Sequence, residues 1–143
     1  MTRVFSFIVA LSWFLLACGH HGSTVRDAHQ IEPGLVYLDQ VMAGTDDEVD
    51  WHQVDMETPA RLLVQVEPDE LSTAVGWIDV FDDHGSLVGT GQIKRGGSKV
   101  EIETTQSVRL FVQVRVSSGI LRYKLTVTAL DGESSCLGDL EVR

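Results

Sequence analysis

Few side chains in this sequence stand in a pattern that could perform chemistry. The five histidines, His20, His21, His29, His52 and His84, are scattered, and no Gly-x-Ser-x-Gly elbow, His-Glu-x-x-His pair or phosphate-cradling glycine loop accompanies them. His52 alternates with Val54 and Met56 and is expected to pack inward, whereas His84 sits in the turn Asp83-His84-Gly85. The densest set of ligand atoms is acidic: Asp46, Asp47, Glu48 and Asp50 fall within the seven residues from Gly44. Such oxygen donors suit Ca²⁺ in a flexible loop, but the glycine and twelfth-position glutamate of an EF-hand are missing. The run reads first as a solvated loop that keeps a sheet edge from pairing, with Ca²⁺ as the alternative and no other cofactor expected. Trp51, Trp77, Phe81 and Phe111 lie opposite the local aliphatic stripe. Gathered on one face they would form a recognition surface; a tail or crossover covering that face is the other reading. These patterns point away from an enzyme and toward a binding or structural role.

The elements that must position these residues are strands. Leu35 to Val41, Trp51 to Met56, Ala60 to Glu67, Val75 to Asp82, Leu87 to Ile93 and Lys99 to Glu103 are strand-like, most of them alternating apolar and polar residues. The longest alternations come last: Val108, Leu110, Val112, Val114 and Val116, then, after Ser117-Ser118-Gly119, Leu121, Tyr123, Leu125, Val127 and Ala129. These two are expected to pair antiparallel at the centre of a sheet. Asp83-His84-Gly85 predicts a hairpin between Val75 to Asp82 and Leu87 to Ile93, with Gly89 and Gly91 weakening its ladder or marking a bulge. Pro68 to Ala74 has room for one helical turn, proline followed by acidic residues being a helix-start signal. The expected architecture is all-β: about eight strands in a two-sheet antiparallel β-sandwich of jelly-roll type.

The N-terminus carries a different signal. Arg3 precedes an apolar run from Val4 to Ala17 broken only by Ser6 and Ser12, the length of a signal peptide and too short to remain as a spanning helix. An N-terminal transmembrane anchor is the alternative. Leu15-Leu16-Ala17-Cys18 resembles the lipobox of bacterial lipoproteins, with Leu16 bulkier than the usual small residue. The resemblance implies cleavage after Ala17 and acylation of Cys18 as the first mature residue. It also implies the outer membrane, since Gly19 stands where an Asp would favour inner-membrane retention. The chain then divides into a signal peptide at 1–17, a flexible tether at 18–31, a domain at 32–130 and a tail at 131–143, in which Leu137, Leu140 and Val142 could form an edge strand. Removing 1–17 takes away one basic residue and no acidic one, leaving 126 residues with 10 basic against 21 acidic and a formal charge of −11. That balance argues against nucleic acid and against attraction to anionic lipid, so membrane contact would run through acyl chains. With Cys18 acylated, Cys136 has no intramolecular partner. It is expected as a free or partly buried thiol, or in an intermolecular disulfide; a Cys18–Cys136 bridge would require that Cys18 carry no lipid. His20 and His21 beside Cys18 could take a transition metal only adventitiously.

Asp50-Trp51-His52-Gln53-Val54 after the acidic run, Ala60 to Val66, Val80-Phe81-Asp82-Asp83-His84-Gly85, and Arg109 to Val116 followed by Tyr123-Lys124-Leu125-Thr126-Val127 together resemble the bacterial pre-peptidase C-terminal domain. The similarity spans Glu32 to Leu130 and implies a small β-sandwich module of the kind appended to secreted proteases and found in lipoproteins. The strand before the Asp-x-x-Gly turn departs from that family at Val75 and Trp77, where further acidic residues are common, so no cation-related role carries over to it. The expected function is a lipid-anchored, non-catalytic binding or structural module of the envelope. The alternatives are an accessory lipoprotein of a secretion or assembly machine, or a carbohydrate-binding module, with an envelope protein or polysaccharide as partner.

Overall fold

Alternating aliphatic and polar side chains build nine strands in the computed structural model, which describes residues 24–130. In chain order they are β1 (His29–Ile31), β2 (Val36–Met42), β3 (Val49–Met56), β4 (Arg61–Pro68), β5 (Val75–Phe81), β6 (Leu87–Ile93), β7 (Ser98–Glu103), β8 (Val108–Ser118) and β9 (Ile120–Leu130). They form two sheets, ordered β1-β3-β8-β5-β6 and β2-β9-β4-β7, in which every pair is antiparallel except β1 with β3. The inner faces meet as one core: Val54, Ile78, Val80, Val112 and Val114 from the larger sheet, and Val41, Leu62, Val64, Val66, Leu125 and Val127 from the smaller. Each such side chain contributes about 1.5–3 kcal/mol when fully removed from water. The expected signal peptide, Cys18, Cys136 and the tail with its expected edge strand lie outside the described residues.

Three expectations change. The last two long strands do not pair: β8 lies between β3 and β5, and β9 between β2 and β4, so they face each other across the core. Alternation fixes which side chains point inward but not which strand lies beside them. At the corner between them Gly119 adopts φ 77°, and a Cβ there would lie 2.8 Å from the Thr73 carbonyl oxygen. The chain therefore changes sheets at this corner, pinned by Ala43 N–H to Gly119 O at 3.0 Å and Thr73 N–H to Ile120 O at 3.0 Å.

The stretch read as tether through residue 31 also enters the sheet, at His29. Three residues pair parallel with β3, and the reward is Ile31, which is fully buried. The Pro68 to Ala74 connection forms no helical turn; the Asp69 carboxylate instead accepts from Leu71 N–H at 2.9 Å and Ser72 Oγ at 3.0 Å, closing a side-chain-capped turn. The expected bulge in the β5–β6 hairpin is present: the register shifts between Val80, opposite Gly89, and Phe81, opposite Leu87, and the glycines also serve packing. β6 and β7 are edges of opposite sheets, and a Cβ on Gly89 would lie 2.5 Å from Val100 Cγ1. Bare backbone there lets the two edges approach and close that side of the sandwich.

Candidate functional site

The outer face of the larger sheet carries all four outward aromatics, but in two separate arrangements. Trp51 on β3 and Phe81 on β5 have ring centroids 5.5 Å apart at 42°. Phe81 stands directly opposite Phe111 of β8, so the three rings gather into one half-buried cluster. With Val25, from a short 3₁₀ turn at Val25–Asp27, and the Asp82–Gly85 turn they line a cavity of about 370 Å³. Asp82 organises that turn by accepting from His84 N–H at 2.9 Å and Ser86 N–H at 2.8 Å. The Ser86 hydrogen bond, and then that of His84, hold its carboxyl below the usual carboxylate range. Asp83 contacts His84 Nδ1 at 2.7 Å on the rim. Trp77 does not join them. The Arg115 guanidinium sits 4.8 Å from its ring centroid while Arg115 Nε donates to Asp79 Oδ2 at 2.7 Å, and Thr90 Oγ1 donates to the other oxygen at 2.6 Å.

The acidic run is not one unit. Asp46 and Glu48 are exposed and Asp47 half-buried in the β2–β3 connection, but Asp50 belongs to β3 and is buried at 3% exposure. Its position follows from parity, since Asp50, His52, Val54 and Met56 share the inward face. Four clustered acids suggest solvent; the alternation running back from Met56 is the signal that places Asp50 inside. The four residues proposed from sequence as a Ca²⁺ set are thus divided, and the fold gathers ligand atoms in two other sets: Asp82, Asp83 and His84 at the β5–β6 turn, and Asp39, Asp50 and His52.

These three belong to a polar cluster between the sheets, at the side closed by β1 and β2. Tyr123 of β9 donates its hydroxyl to Asp50 Oδ2 at 2.7 Å and lies 3.1 Å from His52 Nε2. Asp39 of β2 stands opposite Tyr123 in the ladder. His29 meets the His52 ring edge-on, centroids 6.3 Å apart. Burial pushes the Asp50 carboxyl up to about 7, against the Tyr123 hydrogen bond and with help from nearby Asp39 and Asp47. Burial likewise lowers His52 to about 4, and His29 adds to the effect. At neutral pH the cluster holds an uncharged imidazole beside a carboxyl poised between its two protonation states.

The fold is similar to that of the pre-peptidase C-terminal domain of collagenase from Bacillus anthracis, with a TM-score of 0.60 at 13% identity over 71% of this chain and 94% of that one. Yersinia pseudotuberculosis-derived mitogen is matched at a TM-score of 0.44 and 14% identity, over 71% of this chain and 90% of that one. No family model matches the chain, and neither does any curated protein. The class defined here is an all-β sandwich distantly similar to pre-peptidase C-terminal domains.

Proposed function

We propose that this chain is a lipid-anchored protein of the bacterial outer membrane whose sandwich is a non-catalytic binding or structural module, recognising an envelope partner through Trp51, Phe81 and Phe111. The observation that carries this reading is the three-ring cavity on the outer sheet face, an apolar floor with a polar rim at Asp83 and His84. An anchor at Cys18 would hold the domain close to the membrane. Thr24 follows six residues later, and an extended chain of about 3.5 Å per residue keeps it within about 20 Å of the acyl group. The strongly acidic body would be held at the membrane by hydrocarbon rather than by charge.

A polysaccharide is the second reading of the partner, because aromatic rings beside a rim carboxylate suit stacking on a sugar ring. A protein partner in a secretion or assembly machine would use the same rings as an interface centre. Crosslinking and pull-down from intact envelope, comparing the parent with Trp51→Ala and with Trp77→Ala, tests the site. Loss of one specific neighbour in Trp51→Ala, retained in Trp77→Ala, is expected. An unchanged neighbour set in Trp51→Ala would overturn recognition through this cavity.

A further inference from the structure

We propose that Asp39, Asp50 and His52 form a site for one divalent cation of the Zn²⁺ type, which would clamp β2 of the smaller sheet to β3 of the larger. One oxygen of each carboxylate and one imidazole nitrogen lie within 4.8 Å of one another. Bonds of about 2.0–2.2 Å to Zn²⁺ bring such atoms to within about 4 Å, so the three ligand atoms need draw together by less than about 1 Å. Two carboxylates and one imidazole are the mixed oxygen and nitrogen set that borderline transition cations take, and one that Ca²⁺ and Mg²⁺ do not favour.

A second observation points the same way. Tyr123 gives its hydroxyl hydrogen to Asp50, so His52 Nε2 carries the ring hydrogen toward the Tyr123 oxygen. That leaves Nδ1, buried in a residue only 1% exposed and without a hydrogen-bond partner, as the one ring atom with a lone pair to give a cation, so Nδ1 is the nitrogen that would ligate. Neither Asp39 nor Asp50 has a Lys or Arg partner among the described residues, whose ion pairs involve Asp55, Asp79, Asp83 and Glu101. The orienting contacts that ligands require are present: Tyr123 on Asp50, and the Gln40 N–H on Asp39 Oδ1 at 2.9 Å. Asp47 adds negative potential from the adjoining loop.

The test uses the full-length protein, stripped with EDTA and titrated with Zn²⁺ by calorimetry and with Co²⁺ by visible absorption. One equivalent of Zn²⁺ should bind, with Co²⁺ bands of nitrogen and oxygen ligation and a melting temperature several degrees higher. Asp39→Asn, an exposed position whose change leaves the core intact, should weaken binding at least about tenfold. His52→Gln should abolish the Co²⁺ bands, and the double variant His20→Ala/His21→Ala should bind as the parent does. No binding at millimolar metal, undiminished binding by Asp39→Asn, or loss on replacing His20 and His21 would overturn the assignment.

Discussion

Replacing Asp50 by Asn should stabilise the metal-free protein at alkaline pH and leave it unchanged in acid. The folded-state carboxyl is raised from 3.8 to about 7, so Asp50 favours folding when protonated, and that contribution is lost as pH rises through about 7. At 1.36 kcal/mol per pH unit the shift corresponds to at most about 4 kcal/mol, and relaxation and water at the sheet edge bring the expected effect to about 1–2 kcal/mol. Asn keeps an acceptor for the Tyr123 hydroxyl without the charge. His52 acts in the opposite sense: its value is lowered from 6.5 to about 4, so its contribution is present above 6.5 and lost as pH falls toward 4. The two offset each other between about pH 4 and 6.5, where the parent should be nearly flat. Both proteins share the His52 effect, so it cancels in their difference. Urea unfolding in EDTA should give the Asp50→Asn variant no advantage at pH 4 and about 1–2 kcal/mol at pH 8. A pH-independent difference, or a less stable variant at pH 8, would refute the account of a buried, uncompensated carboxylate.

Tyr123→Phe removes the hydroxyl between Asp50 and His52 and strands two buried polar atoms, so a loss of about 1–3 kcal/mol is expected by denaturant unfolding at pH 7. Gly89→Ala forces a Cβ against Val100 and should cost about 1–3 kcal/mol, read as a lower melting temperature. Gly96→Ala, with open space around it, should stay within about 0.5 kcal/mol of the parent.

Inward faces were legible in the sequence because a period of two leaves little choice: every aliphatic residue of β8 from Leu110 to Val116 and of β9 from Leu121 to Val127 that was placed inward is buried. Partners were not legible, because the same alternation permits β8 and β9 to sit side by side or face to face. Only the contacts of Gly119 with Thr73 and Ala43 decide between them. β1 escaped notice since three residues, His-Gln-Ile, make too short a run to show a period. The outward aromatics were visible by parity, but parity does not say which of them meet: Trp77 lies four residues from Phe81 along β5, about 13 Å at the rise of a strand, and stands opposite Arg115 instead. Asp50 was hidden by its company of exposed acids.

The proposed anchor is tested most directly by intact mass spectrometry of the protein purified from the cells that make it. A mature chain starting at Cys18, heavier than its amino-acid mass by a diacylglyceryl group and a further acyl chain, is the predicted result. A bare Cys18 thiol, an uncleaved N-terminus, or a bond between Cys18 and Cys136 would contradict it.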